Sequence, residues 1–381
     1  MFDPFTKKFM KNSTSKSELQ KALQKLSKAT PTRSTIPILS CVLIEAGETG
    51  TTLRTTDLEI TIVTSIESSI EETGSAAIPL QTLLEITSEL PDDTRITIDV
   101  NKNNNVKIVT DIGSYDLMGK PADEFPEKPE ANQRVESGIE ANVLNEMIST
   151  ISFAVSKDDL KPAITGVYFK FEKDILTAVA TDGHRLAKYV RNNFDAGQFE
   201  GEVIIPRKFL NIITAYINND EQIQLLLGEN VFTATIGTDT IYTRIIDERF
   251  PDYQSVIPTD NEKEIKVDCN NFLSAVKRVS IFSNKATHQI AIRAESGSAT
   301  ITTEDPEKAS KAQEKIQIEY VGDSIDVGYN AAYLKDILSH MNSSEIVIRL
   351  NTPISASLFY PTSLDDNVEV TMLLMPIRLN D

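Results

Sequence analysis

The chain has 381 residues, 40% of them hydrophobic, which is enough for ordinary buried cores in two or three domains of common size. Its formal net charge of −18 argues against simple long-range electrostatic capture of nucleic acid. No apolar run approaches the ~20 residues of a membrane helix. The two cysteines, Cys41 and Cys269, and the scattered His184, His288 and His340 suggest neither a disulfide framework nor a zinc site, so a reducing cytoplasm is expected. The start, Met1 to Phe5, carries an early acid and a proline and does not read as a signal peptide.

In chain order, Ser15 to Lys28 places Leu19, Ala22, Leu23 and Leu26 on one face and predicts an amphipathic helix. A second helix is expected from Pro79 to Leu90, between two prolines. The same pair returns at Glu140 to Ser156 and Pro206 to Tyr216, and again at Cys269 to Ser283 and Asn330 to Met341. Between them lie β-rich runs such as Ile60 to Val63, Val167 to Phe171, Val231 to Ile236, Ala299 to Thr302 and Ile346 to Leu350. Phe125-Pro126 recurs after about 125 residues as Phe250-Pro251, and then as Met375-Pro376; Thr56-Asp57 recurs as Thr181-Asp182. One domain is therefore used three times. The expected domains are 9–128, 135–258 and 262–381, joined by linkers at Pro126 to Arg134 and Ile257 to Glu262. Helices far apart with meanders between them predict an α+β fold, with helices on one face of antiparallel sheets.

Four segments in order carry a resemblance. They are Thr181-Asp182-Gly183-His184-Arg185-Leu186-Ala187, Val203 to Lys208, Arg249-Phe250-Pro251-Asp252-Tyr253, and Met375-Pro376-Ile377-Arg378-Leu379. With Ile36 to Leu39 and Asp57-Leu58-Glu59 they resemble the bacterial sliding clamp, the β subunit of the replicative DNA polymerase. The resemblance implies three clamp domains per chain and a head-to-tail homodimer forming a closed ring around double-stranded DNA. Such a ring carries twelve helices side by side at about 10 Å each, which leaves a hole of roughly 28 Å. It implies no cofactor, no metal and no catalysis. The implied partners are the replicative polymerase's catalytic subunit, an ATP-driven clamp loader, and other polymerases and repair proteins with clamp-binding motifs.

Residue by residue, the implied partner-peptide pocket is Ile164, Thr181, Gly183, His184, Arg185, Leu186, Pro251 and Val256, with Asn330, Tyr333, Ile354, Leu373, Met375, Pro376, Ile377 and Arg378. Leu186, Pro251, Val256, Leu373 and Met375 would form its apolar cleft, with His184 and Arg185 as donors at the rim. Each segment also has an ordinary structural role open to it, Asp182-Gly183 as a turn and Met375-Pro376 as the end of a last strand. Ser255 stands where a basic residue is expected. The DNA-facing candidates are Lys21, Lys25, Lys28, Arg33, Arg207, Lys208, Lys277 and Arg278, although Glu85, Glu89, Glu140 and Glu146 make the lining mixed. The dimer-interface candidates are Tyr115 and Leu117 in domain one, and Ile281 and Phe282 in domain three. Basic residues expected near Tyr115 are missing, which would leave Glu304, Asp305 and Glu307 without their usual partners, and the dimer either weaker than typical or maintained by apolar packing. Two other readings stay open: an enzyme with His184 as base beside Asp182 or Arg185, and a monomeric clamp-fold scaffold without a ring.

Overall fold

The computed structural model describes residues 10–31, 33–130, 135–195, 197, 200–217 and 222–379. Met1 to Phe5, Phe9, Arg134 and Asp381, which figure in the expectations above, lie outside the described residues. Repeat one comprises β1 (Met10–Ser15), α1 (Lys16–Leu26), β2 (Cys41–Gly47), β3 (Gly50–Thr56), β4 (Ile60–Ile66), β5 (Ser69–Glu72), β6 (Gly74–Pro79), α2 (Leu80–Glu89), β7 (Arg95–Val100), β8 (Asn105–Val109) and β9 (Ser114–Met118). Repeat two comprises β10 (Val135–Glu140), α3 (Ala141–Ile151), β11 (Gly166–Glu172), β12 (Ile175–Thr181), β13 (Arg185–Asn192), β14 (Gly201–Pro206), α4 (Arg207–Thr214), β15 (Gln222–Leu227), β16 (Val231–Ile236) and β17 (Asp239–Arg244). Repeat three comprises β18 (Lys263–Asp268), α5 (Cys269–Ser280), β19 (Gln289–Glu295), β20 (Ser298–Asp305), β21 (Ser310–Gln317), β22 (Ile325–Asn330), α6 (Ala331–Ser339), β23 (Glu345–Leu350), β24 (Ser357–Pro361) and β25 (Val368–Leu374). Each repeat is thus one half-unit, strand–helix–three strands, used twice. Among the described residues, repeat one alone inserts an extra strand, β5.

The helices start where side chains cap them. Ser15 accepts from the Glu18 amide at 3.2 Å, Asp268 from Asn271 at 2.7 Å, and Asn330 from Ala332 at 2.9 Å. They are shorter than the sequence pattern suggests, because several finish in a tighter turn such as Ser27–Ala29 after α1 and Ser152–Ala154 after α3. On α1, Leu19, Ala22, Leu23 and Leu26 are buried, as the spacing requires.

All sheets are antiparallel. Their strand orders are β5-β1-β7-β8-β9, β10-β15-β16-β17-β4-β3-β2-β6, β14-β11-β12-β13-β25-β24-β23-β18, and β21-β20-β19-β22. The described residues fall into two compact units: the residues up to Ala141 with Lys208–Ile245, and Asn142–Arg207 with Ile246 onward. Repeat two is divided between them, because each of its halves shares a sheet with a neighbouring repeat. The two shared sheets follow one rule. The last strand of a first half pairs with the last strand of the next repeat's second half, β4 with β17 and β13 with β25. In that series β21 and β9 are left at sheet edges.

Candidate functional site

The site is built at the β13–β25 seam, within the second unit. The chain leaves β12 in a turn closed by four local side-chain hydrogen bonds. Thr181 Oγ1 donates to the Arg185 carbonyl at 2.7 Å and accepts from the Gly183 amide at 3.1 Å, while Asp182 Oδ1 accepts from the His184 and Arg185 amides at 2.9 and 3.1 Å. Gly183 has φ +88°, left-handed backbone that a side chain opposes.

Arg185 is not a rim donor, as the sequence suggested. It is 8% exposed, and each of its three guanidinium nitrogens is engaged: Nε to Asp182 at 3.0 Å, Nη1 to Asp336 at 2.6 Å and Nη2 to the Phe153 carbonyl at 3.0 Å. It lies between the rings of Phe153 and Tyr333, 5.1 and 4.7 Å from their centroids. A buried charge needs such partners, so Arg185 is a wall post that fixes the turn against α6. His184 remains exposed, its ring stacked on Tyr333 at 5.7 Å. Because Asp182 is committed to the turn and to Arg185, this constellation orders a loop and does not orient His184 as a base.

Beyond the turn, Leu186 lies opposite Leu373 on β25, and Leu373 opposite Leu358 on β24. These three buried leucines pack with Tyr168, Val179, Ile204, Tyr253 and Ala356 on the sheet face away from the helices. Phe250, Ile246, Ile257 and Tyr360 pack against the edges of the cluster. The segment after β17 is held there by rings: Phe250 stacks on Tyr168 at 4.8 Å, and Tyr253 lies 5.9 Å from it. Tyr168 donates to Glu202 at 2.5 Å, and burial pushes its phenol well above the ordinary range.

Apolar side chains then stand exposed: Met375 at 43%, Val256 at 52% and Ile354 at 63%. The tail that carries Met375 is tied down at two points. The Met375 amide donates to the His184 carbonyl at 2.9 Å, and the Ile377 amide to the Gly328 carbonyl at 2.8 Å. A Cβ on Gly328 would come within 2.5 Å of the Ile377 carbonyl, so glycine is what lets the tail dock. Pro251 and Arg378 are exposed, Pro376 and Ile377 half-buried, and Asn330 caps the helix that carries Tyr333. Ile164 is buried in the turn Pro162–Ile164, outside the leucine cluster. Sequence reading missed Tyr168, Ile204, Leu358 and Tyr360. The available signal was β11, whose Val167, Tyr168 and Phe169 are apolar on both faces and so call for a second cover.

The cations expected to face DNA behave unequally. Lys25 pairs with Asp239 at 2.5 Å, Lys208 with Asp57, and Arg278 with Glu314 through Nε at 3.0 Å. Lys21, Lys28, Arg33 and Lys277 are exposed, Lys28 near the Tyr216 ring, and Arg207 is half-buried. On the edge strand β9 Tyr115 is exposed and Leu117 half-buried, and Ile281 and Phe282 are exposed in the turn that follows α5. Glu304 and Asp305 have neighbouring bases within their own domain. Lys311 stands 3.6 Å from Glu304, and Lys308 stands 3.4 Å from the buried Asp305.

Among the described residues, no three His, Cys, Asp or Glu side chains are arranged to hold a metal ion, and no helix is long and apolar enough to cross a membrane. Burial raises both thiols, that of Cys269 to about 11.

Comparison with known proteins places this architecture. Family models for the DNA polymerase III beta subunit match in series: the N-terminal domain over residues 10–129, the central domain over 138–252 and the C-terminal domain over 254–378. The beta sliding clamp of Pseudomonas aeruginosa is 30% identical over 365 residues, 95% of this chain and 98% of that protein. That of Synechococcus elongatus is 30% identical over 371 residues, 95% and 97% of the two chains. A solved sliding clamp of P. aeruginosa bound to griselimycin superposes with a TM-score of 0.91 at 29% identity, over 97% of this chain and all of that one. A Bartonella birtlesii clamp bound to the same compound gives 0.90 at 29% over the same shares. The chain belongs to the beta sliding clamp family, the beta subunits of DNA polymerase III.

Proposed function

We propose that two copies of the chain close head to tail into a ring around duplex DNA, and that the leucine-floored groove tethers partner proteins to it. Partners bring a short peptide whose apolar end sits over Leu186 and Leu373, gripped by Met375, Val256 and Ile354. The observation that carries this reading is the coincidence of a buried apolar cluster around Leu186, Leu358 and Leu373 with three exposed apolar side chains, Met375, Val256 and Ile354, carried by the segments that supply that cluster. A small apolar anchor site with a polar edge corresponds to affinities around micromolar, about −8 kcal/mol. The partners are the catalytic subunit of the replicative polymerase, other polymerases and repair proteins with such peptides, and an ATP-driven loader that opens the ring. The chain works in the cytoplasm as three domains, 9–128, 135–258 and 262–381, and it binds without catalysing. Exposed Lys21, Lys28, Arg33 and Lys277 make weak phosphate contacts, which suits a protein that must slide.

Two measurements test the reading separately. Deleting the tail after Leu373 removes Met375 and the Ile377–Gly328 tie, and should abolish binding of a fluorescent clamp-binding peptide while the dimer persists. Unchanged affinity would refute the pocket. Phe282→Asp should yield monomers by sedimentation, because it places a carboxylate in the seam. A persisting dimer would refute that contact, and a wild-type monomer would favour the scaffold without a ring.

A further inference from the structure

The two edge strands, β9 and β21, carry opposite charge at the ends of an alternating series. On the outer face of the first sheet, Lys11 on β1 lies opposite Asp99 on β7, Asp99 opposite Lys107 on β8, and Lys107 opposite Asp116 on β9. The sign alternates at every strand and the series stops on an exposed acid at the edge. On the last sheet the edge residue of the same face is Lys311 on β21, with Glu304 opposite it on β20. These assignments follow from burial. Tyr115 and Leu117 lie opposite the buried Ile108 and Val106, and Ala312 and Glu314 opposite the buried Thr303 and Ile301, which puts Asp116 and Lys311 on the outer faces.

The internal seams supply a register for joining the two edges. Ile62 and Ala187, whose partners Thr55 and Ala180 stand two residues before Asp57 and Asp182, face Ile241 and Met372 across their seams. In repeat three, Thr303 stands two residues before Asp305 and pairs with Ala312, so Ala312 holds the place of Ile62. Ile241 follows the two-residue turn Gly237-Thr238 as Tyr115 follows Asp111-Ile112. Tyr115 therefore takes Ala312 as its partner. Antiparallel pairing then puts Leu117 opposite Ser310, Ser114 opposite Gln313, and Asp116 opposite Lys311.

We infer that a second copy of this chain docks its β21 edge on β9 in this register, with Asp116 and Lys311 as the linking pair of an unbroken charge ladder. The inference rests on the two-copy reading above and sharpens it. The sequence resemblance led us to expect bases near Tyr115 and acids in domain three. Here the edge of domain one ends on an acid, Asp116, and the edge of domain three carries a base, Lys311, beside its acids. Opposite charges directly across antiparallel strands stabilise, and like charges destabilise.

The test uses the full chain and four proteins: wild type, Asp116→Lys, Lys311→Asp, and the combination of the two. Both positions are exposed, and circular dichroism checks each fold. Dimer dissociation is followed by sedimentation at low and at high salt. Each single variant should raise the dissociation constant about tenfold at low salt, over two seams per ring. The difference should shrink as salt screens it, and the combined variant should return close to wild type. Dimers of undiminished strength in the single variants, or additive weakening in the combination, would overturn the ladder while leaving the ring intact. A wild-type chain that never dimerises would instead overturn the two-copy reading itself.

Discussion

The turns after β3 and after β12 are one structure used twice, and only the second lies beside the proposed binding site. In both, a threonine hydroxyl receives the amide two residues on, Leu58 at 3.0 Å or Gly183 at 3.1 Å. In both, an aspartate receives the next two amides, Glu59 and Ile60 or His184 and Arg185. The seams that follow also share a register, but Thr61 faces Tyr242 where Leu186 faces Leu373. Backbone geometry therefore does not make the site. Two changes do: a leucine floor on the outer face, and a guanidinium that ties the turn to α6. The pair Asp57–Lys208 holds the first turn only from a half-exposed lysine, whereas Arg185 holds the second from within.

The largest expected effect breaks that contrast at its charged post. Arg185→Ala strands Asp182, whose side chain is only 13% exposed, and should cost about 3 kcal/mol in urea unfolding. Lys208→Ala at the matching turn should cost less than about 1 kcal/mol. Equal losses at the two turns would contradict the distinction. Next, giving the second seam the chemistry of the first, by Leu186→Thr with Leu373→Tyr, should weaken peptide binding about a hundredfold, as ~3 kcal/mol of apolar burial is lost. Affinity within threefold of wild type in an anisotropy titration would show that the floor does not bind.

A smaller effect concerns backbone strain. Leu58 holds φ +79° where repeat two has glycine. Gly183→Leu should destabilise by about 1 kcal/mol. Leu58→Gly should stay within about 0.5 kcal/mol of neutral, because relieved strain is offset by unfolded-state entropy. Thermal unfolding of both variants decides this, and a large gain for Leu58→Gly would show unbalanced strain. The smallest effect is expected for Lys25→Glu with Lys28→Glu, which should shorten residence on DNA modestly and in a salt-dependent way, leaving peptide affinity unchanged. A loss of peptide affinity would mean that this helix belongs to a different surface.

The threefold repeat and its helix pairs were legible because a 3.6-residue apolar stripe survives in each copy, as in Leu19, Leu23 and Leu26. The strand β21 was not read. Its sequence, Ser310 to Gln317, alternates half-buried and exposed positions with only Ala312 and Ile316 apolar, as an edge strand does. The motifs of the candidate site stand out in the sequence, but its construction does not. Asp336, which anchors Arg185, is 151 residues away in the chain, and local spacing carries no trace of it. Leu358 and Tyr168 looked like ordinary strand residues until the segment after β17 was seen to cover them.

The most direct test of the central claim is retention on nicked circular plasmid against the same plasmid linearised, after incubation with ATP and a bacterial clamp loader proven active on its own clamp. Retention on the circle with loss on linearisation is the predicted result, because a closed ring escapes only from an end. Equal retention on both forms would contradict encirclement.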